Sequence, residues 1–334
     1  MASKGTVAAS EGHVAEVAGH CLARDGAVDA VVAGVLAAGA WTPSVLLGPV
    51  QLLIGGSGAG LLAVDGRLRQ PGAGVARPRG FLATEEVVGA AYVAVPTLPA
   101  ALAAVVASRA SGPLHRACAP AIALAKTRSG ERAAVLEEFA RRGAPAMAGH
   151  FIATELLAVA GRAARGLLTL DDLSSLVPRV VGCDPRPLEP SGILVVPWLD
   201  EASSPSGATT QIVAATDARG VVAIACYETP LDGISIPALG LVAPRSAEPV
   251  MRGRPRVPPG DARPAASPIA LRALSGSVDL ALGIATCSDS VTALRSLVEA
   301  VLSAPTLAQA FAAIPAGRPV AIARSAEAAR AFVG

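Results

Sequence analysis

The chain has 334 residues, 28 Lys and Arg against 26 Asp and Glu, a formal net charge of +2, and aromatic side chains at only 3%. That length is ample for a sizeable core in one large domain or two smaller ones. The balanced charge excludes the electrostatic footprint of a general nucleic-acid binder, and no nucleic-acid partner is expected.

In chain order, Val14, Val17, Ala18, Cys21 and Leu22 recur at helical spacing over residues 13–24, with Ser10 as the expected cap and Gly26 as the stop. Residues 27–40 continue as a nearly apolar helix. No charge lies between Asp29 and Asp65, but Pro43, Pro49 and the Gly55-Gly56-Ser57-Gly58 turn cut that stretch. The pieces are shorter than the roughly 20 residues a membrane-spanning helix needs. A hairpin is expected instead, with residues 51–54 and 61–64 as its arms. The glycine turn does not read as a phosphate loop, because no Lys-Ser/Thr follows it and it opens no helix.

Residues 97–165 read as mostly helical, broken at Gly112-Pro113, Ser129-Gly130 and Gly143-Ala144-Pro145. Thr169 is expected to cap a short helix, with Asp171 and Asp172 in its first turn, where acidic groups favour the dipole. Residues 193–197, 209–216 and 221–227 are rich in β-branched residues and read as strands. A proline-rich connection over 243–268 carries Arg245, Arg252, Arg254 and Arg256, a basic run best explained as a solvated loop. A strand over 278–283, a helix over 290–302, a strand over 319–323 and a terminal helix complete the expectation.

Cys21, Cys118, Cys183, Cys226 and Cys287 are odd in number and form no C-x-x-C pair, which argues against a disulfide framework or a zinc site. They fit a reducing compartment. The first residues lack the apolar segment of a secretory signal, so a cytoplasmic location is expected. His13, His20, His115 and His150 show no metal spacing, and neither metal nor cofactor is expected.

The stretch most suggestive of chemistry is Thr209-Thr210-Gln211-Ile212-Val213, preceded by Ser206-Gly207-Ala208. A threonine in a small-residue turn can attack its own preceding carbonyl, and hydrolysis of the ester frees an α-amine beside the same hydroxyl. That amine then serves the hydroxyl as a base. Read locally, an ordinary strand start explains the same residues.

Several blocks carry a wider resemblance. Gly5-Thr6-Val7-Ala8-Ala9-Ser10 comes first, then Gly26-Ala27-Val28-Asp29-Ala30, then Val64-Asp65-Gly66-Arg67 with Pro71 beyond it. Ala94-Val95-Pro96 leads into residues 119–125, residues 166–173 follow, and Thr209-Thr210 comes last. In this order they resemble the gamma-glutamyltransferase family over most of residues 5–300, with a large gap between Pro197 and Ser206. The resemblance implies an α+β fold, a four-layer αββα sandwich of the N-terminal-nucleophile hydrolase type. It implies a single domain over 1–334, cut before Thr209 into pieces 1–208 and 209–334. Thr209 would be the nucleophile with Thr210 beside it, and backbone amides of Thr286 and Cys287 would form the oxyanion hole.

Arg67 matches the family's carboxylate-gripping arginine, a role suited to a guanidinium fork; Arg69 is its fallback. Thr229 falls near the family's asparagine, and Glu248 lies one position from its acidic residue. The strand threonine that supports the nucleophile falls on Tyr227 by gapless counting. Ala265-Ala266 replace the family's adjacent serines. The expected activity is therefore hydrolysis or transfer of an acyl group from an amide, on a small carboxylate-bearing substrate other than glutathione. The rivals are an inactive binding module, and a biosynthetic enzyme with altered chemistry in the same pocket. No membrane partner is expected, and assembly with copies of itself is left open.

Overall fold

The computed structural model describes residues 5–334 apart from 57–59, 77, 79, 183–185, 189–192, 202–207, 231, 275–276, 288 and 326–327. Cys183 and the Ser206-Gly207 turn lie outside the described residues.

The strands in chain order are β1 (Thr6–Ala9), β2 (Val50–Gly56), β3 (Leu62–Gly66), β4 (Arg179–Gly182), β5 (Arg186–Leu188), β6 (Ile193–Val195), β7 (Ala208–Thr216), β8 (Val221–Pro230), β9 (Gly233–Ile236), β10 (Leu241–Pro244), β11 (Ile269–Leu274), β12 (Ser277–Ala285), β13 (Arg318–Arg324) and β14 (Ala329–Val333). They form two six-stranded sheets, β1-β7-β8-β2-β3-β4 and β14-β13-β12-β11-β6-β5, and a small β10-β9 ribbon. The helices used below are α1 (Gly12–Leu22), α2 (Ala27–Trp41), α3 (Leu98–Arg109), α4 (Leu114–Lys126), α5 (Gly130–Arg142), α6 (His150–Ala160), α7 (Leu170–Ser174), α8 (Ser290–Ser303) and α9 (Leu307–Ala312).

Layering follows from the side-chain pattern. Every residue of α2 except Trp41 is buried, as expected of a helix that is apolar all round. It lies between the first sheet and the outer helices. Its lone charge, Asp29, accepts hydrogen bonds from the amides of Gly26 (3.2 Å), Ser111 (2.8 Å) and Gly112 (3.0 Å), so the buried carboxylate ties the loop before α4 to the helix start.

Along β7, Val213 and Ala215 join the core shared with α1 and α2, while Ile212 and Ala214 join the core between the sheets. That period-2 division makes the first sheet apolar on both faces. Beyond the second sheet, Leu294, Leu297 and Val298 of α8 pack on β12 and complete the fourth layer. The result is the αββα sandwich that the sequence predicts. A β-bulge at Asp279, between the pairs Arg272–Leu280 and Ala273–Val278, swaps the faces of β12. No helix among the described residues is long and apolar enough to cross a membrane.

Two local expectations are corrected, and one strand joins them. Ser10 does not cap α1; its hydroxyl donates to Gln211 Oε1 at 2.7 Å and accepts from the Ile212 amide at 3.0 Å, stitching β1 to β7. The terminal helix is instead β14, paired along β13, because an open sheet edge outweighs the helix propensity of its alanines. The added strand is β1, whose four residues are too few for a period-2 pattern to mark it in the sequence. Thr169 does cap α7, with its hydroxyl accepting from the Asp172 amide at 3.0 Å.

Candidate active site

The strand register decides which residues of the first sheet can meet. Backbone groups of Thr210 and Ile212 point away from β8: the Thr210 amide donates to the Thr286 carbonyl at 2.8 Å, and the Ile212 carbonyl accepts from the Ser10 amide at 2.9 Å. The pairs Thr210–Glu228 and Ile212–Cys226 are therefore the closely spaced, non-hydrogen-bonded kind. Thr210 and Glu228 share the face of Ile212 and Cys226, toward the second sheet. Thr209 pairs with Thr229 and shares the opposite face with Gln211 and Val213. The two adjacent threonines are thus sent to different sides of the sheet.

On the inner face, polar side chains form one connected chain. Glu228 Oε1 accepts from the Ala266 amide at 2.7 Å. The Ala266 carbonyl accepts from Gln51 Nε2 at 2.6 Å and from the Cys226 thiol at 3.7 Å. Gln51 Oε1 in turn accepts from the Trp198 indole N–H and the Ser267 hydroxyl. The Trp198 ring lies 5.6 Å from the Arg67 guanidinium, a cation–π contact. Gln51 stands opposite both Cys226 and Asp65 in the ladder, so the chain crosses the sheet strand by strand. Thr210, Glu228, Gln51, Ser267, Trp198, Asp65 and Arg67 are all buried.

Burial pushes the Glu228 carboxyl up to about 7, although the Ala266 amide favours its charged form. The Cys226 thiol below it is raised further, again by burial, and stays protonated. Tyr227 lies on the other face, where its hydroxyl donates to Glu11 Oε2 at 2.5 Å. Gapless counting places the supporting strand threonine at Tyr227, which pairs with Gln211; the register sets Thr229 opposite Thr209 and Glu228 opposite Thr210.

Arg67 is 1% exposed, and its fork is already engaged. Nε and Nη2 each donate to Asp65 at 3.0 Å, while Nη1 donates to Glu201 at 2.8 Å. Arg69 also reaches Asp65, at 3.1 Å. The Glu201 side chain is 60% exposed, so that arm is the one open to exchange. Thr286 is buried beside Thr210, presenting its carbonyl to the Thr210 amide, and Cys287 is exposed. Thr229 is half-buried. Glu248 is exposed and pairs with Arg263 at 3.2 Å; its backbone is held by Gln70. Among the described residues its partners, Arg263 and Gln70, lie outside the Thr210 chain. Among the described residues no group of three or more His, Cys, Asp or Glu could hold a metal ion.

Sequence reading missed Glu228, Gln51, Ser267 and Trp198. The signal was present in Gln51, the lone amide in a stretch without charge, and in Glu228, an acid at the end of an apolar strand.

No protein-family model matches the sequence, and no curated protein matches it. Among solved structures, a cephalosporin acylase from Bacillus halodurans is similar over 99% of this chain and 96% of its own, with a TM-score of 0.75 and 14% identity. LmbA2991 is similar over 99% of this chain and 98% of its own, with a TM-score of 0.73 and 14% identity. A gamma-glutamyltranspeptidase from Pseudomonas nitroreducens complexed with L-DON matches 55% of this chain and 67% of its own, at a TM-score of 0.44 and 21% identity. At such identities the likeness is one of fold. The chain therefore shares its αββα fold, over nearly its whole length, with the cephalosporin acylase and LmbA2991 structures.

Proposed function

We propose that the protein is an amide hydrolase or acyltransferase of the gamma-glutamyltransferase type, using a threonine at the head of β7 as its nucleophile. The observation that carries this reading is the pairing of Thr210 with Glu228 on the inner face, at one end of a satisfied polar chain that reaches Arg67. Between the two threonines the facing favours Thr210, so the cut that frees an α-amine would fall between Thr209 and Thr210, one bond later than the sequence resemblance implies. The freed amine would keep the Thr286 carbonyl as its partner. The acylase name of a full-length structural neighbour is consistent with amide chemistry.

The substrate is a small molecule with a carboxylate that exchanges with Glu201 on the outer arm of Arg67. A glutamyl head group is disfavoured, because Ala265 and Ala266 offer no side-chain donors. Each lost charge-assisted bond costs about 1.5–3 kcal/mol. The backbone amides of Thr286 and Cys287 remain the candidate oxyanion donors. The free cysteines fit a reducing, cytoplasmic setting.

The test is hydrolysis of a panel of N-acyl amides, including a chromogenic gamma-glutamyl anilide, by wild-type, Thr209→Ala and Thr210→Ala proteins. Activity should survive in Thr209→Ala and vanish in Thr210→Ala. Full activity in folded Thr210→Ala overturns the assignment, and rapid turnover of the glutamyl compound overturns the substrate reading. The burial of Thr210 in the uncut chain favours one rival, a scaffold that binds without reacting, which predicts no turnover of any amide.

A further inference from the structure

We infer that Glu228 is the base that takes the hydroxyl proton of Thr210 when the chain cuts itself between Thr209 and Thr210. The inference rests on the reading of Thr210 as nucleophile and assigns the proton acceptor that reading lacks before any α-amine exists.

Geometry carries it. Thr210 and Glu228 stand directly opposite each other in a non-hydrogen-bonded pair, the arrangement in which cross-strand side chains come nearest, with Cβ atoms about 4.5–5.5 Å apart. One oxygen of Glu228 is anchored by the Ala266 amide, which fixes where the carboxylate lies. Both side chains are buried, and the carbonyl that the Thr210 hydroxyl would attack in an N-to-O acyl shift is that of its covalent neighbour, Thr209.

The groups facing Glu228 leave it a base of suitable strength. The Ala266 amide, from the stretch before β11, donates to it, and the protonated Cys226 thiol lies two residues back on the same face of β8. Past these, Gln51 of β2 bonds the Ala266 carbonyl and Ser267, Thr286 at the end of β12 bonds the Thr210 amide, and Asp65 and Arg67 neutralise each other. Burial places the carboxyl's midpoint at about 7, where a general base works best at neutral pH.

The proton balance closes. Glu228 accepts the Thr210 Oγ1 proton as Oγ1 bonds to the Thr209 carbonyl carbon. The C–N bond then breaks, and the departing nitrogen takes that proton from Glu228, leaving an ester. Water adds to the ester carbonyl with Glu228 accepting its proton. The C–O bond breaks, Oγ1 is reprotonated, and a Thr209 carboxyl and a Thr210 amine result.

The experiment follows intact mass with time for freshly purified full-length protein held at pH values from 5 to 9. Wild-type protein should yield fragments 1–209 and 210–334, at a rate that climbs with pH and levels off above about 7. Glu228→Gln, which can still accept from the Ala266 amide, should slow the cut at least about 100-fold and flatten the pH profile. Thr210→Ala should stay whole. If Glu228→Gln cuts at the wild-type rate while Thr210→Ala stays whole, Glu228 is not the base and the threonine reading stands. Wild-type protein that remains intact at every pH, or that cuts one residue earlier, overturns both. Should Glu228→Gln fail to fold, the wild-type profile decides alone: a rate independent of pH over this range overturns the inference.

Discussion

On its helix side the first sheet meets α1 and α2 through Val213, Ala215, Ala223 and Ala225; on its inner side the same strands carry Ile212, Ala214 and Ile224 at one end and Thr210, Glu228, Gln51 and Asp65 at the other. The helix-side contact is governed by size. Small residues bring helix and sheet together, and what matters there is a methyl group too many or too few. The polar end of the inner face is governed by completeness. Each donor and acceptor is buried at a cost that only its partner offsets, so removing one group strands the next. A single sheet thus fails in two ways, gradually on one side and abruptly on the other.

The largest effect should come from breaking the charged end of the inner face. Arg67→Ala leaves the fully buried Asp65 with the residue-67 amide and a single cation, Arg69, and a stability loss of about 3–5 kcal/mol is expected in urea unfolding. A loss below about 1 kcal/mol would mean that the ion pair does not hold this end together.

Glu228 comes next, with a sign set by linkage. Its folded-state midpoint, about 7, lies above the ordinary 4.5, so the native state binds the extra proton between those values and stability falls as pH rises through them. Glu228→Gln removes the penalty. The variant should match wild type below pH 4.5 and exceed it by up to about 3 kcal/mol at pH 8, as read from denaturation at both pH values. A variant less stable at pH 8 would show that the carboxylate is better solvated than its burial implies.

Two glycines, one at each interface of the sheet, sharpen the contrast further. A Cβ on Gly283 would lie 2.8 Å from Cγ2 of Ile212, between the sheets, so Gly283→Ala should cost about 1–3 kcal/mol, with part recovered by adding Ile212→Val. A Cβ on Gly34 in α2 would lie 3.1 Å from Cγ2 of Val213, a tight contact that the side chain can relieve. Against it stands a gain in helix propensity of about 1 kcal/mol, so Gly34→Ala should shift the thermal midpoint least. Equal losses at the two positions would erase the distinction between the interfaces.

The layering was legible in the chain because strands such as β7 and β8 are rich in β-branched residues and α2 is apolar apart from Asp29. The site was legible only in part. Thr210 was visible, but its partner was not, because the partner depends on register. Counting one residue short selects Tyr227, and in a strand a slip of one residue sends a side chain to the other face. Arg67 was visible as a cation beside an acid in Asp65-Gly66-Arg67. That the acid would occupy its fork follows from the turn geometry after β3 and the burial of both groups, neither of which composition records.

The strands on either side of Thr210 in the chain are interleaved. β7 and β8 sit in the first sheet between β1 and β2, while β6 and β5 extend the second sheet beside β11. A chain opened at that point would stay one particle in gel filtration, because the two pieces share both ladders and release would mean dismantling each sheet. Once separated by denaturant, the pieces could not regain the structure singly. Each would hold half a sheet with its edges bare. Recovery would become a bimolecular reaction whose yield depends on protein concentration, whereas the uncut chain would refold at any dilution.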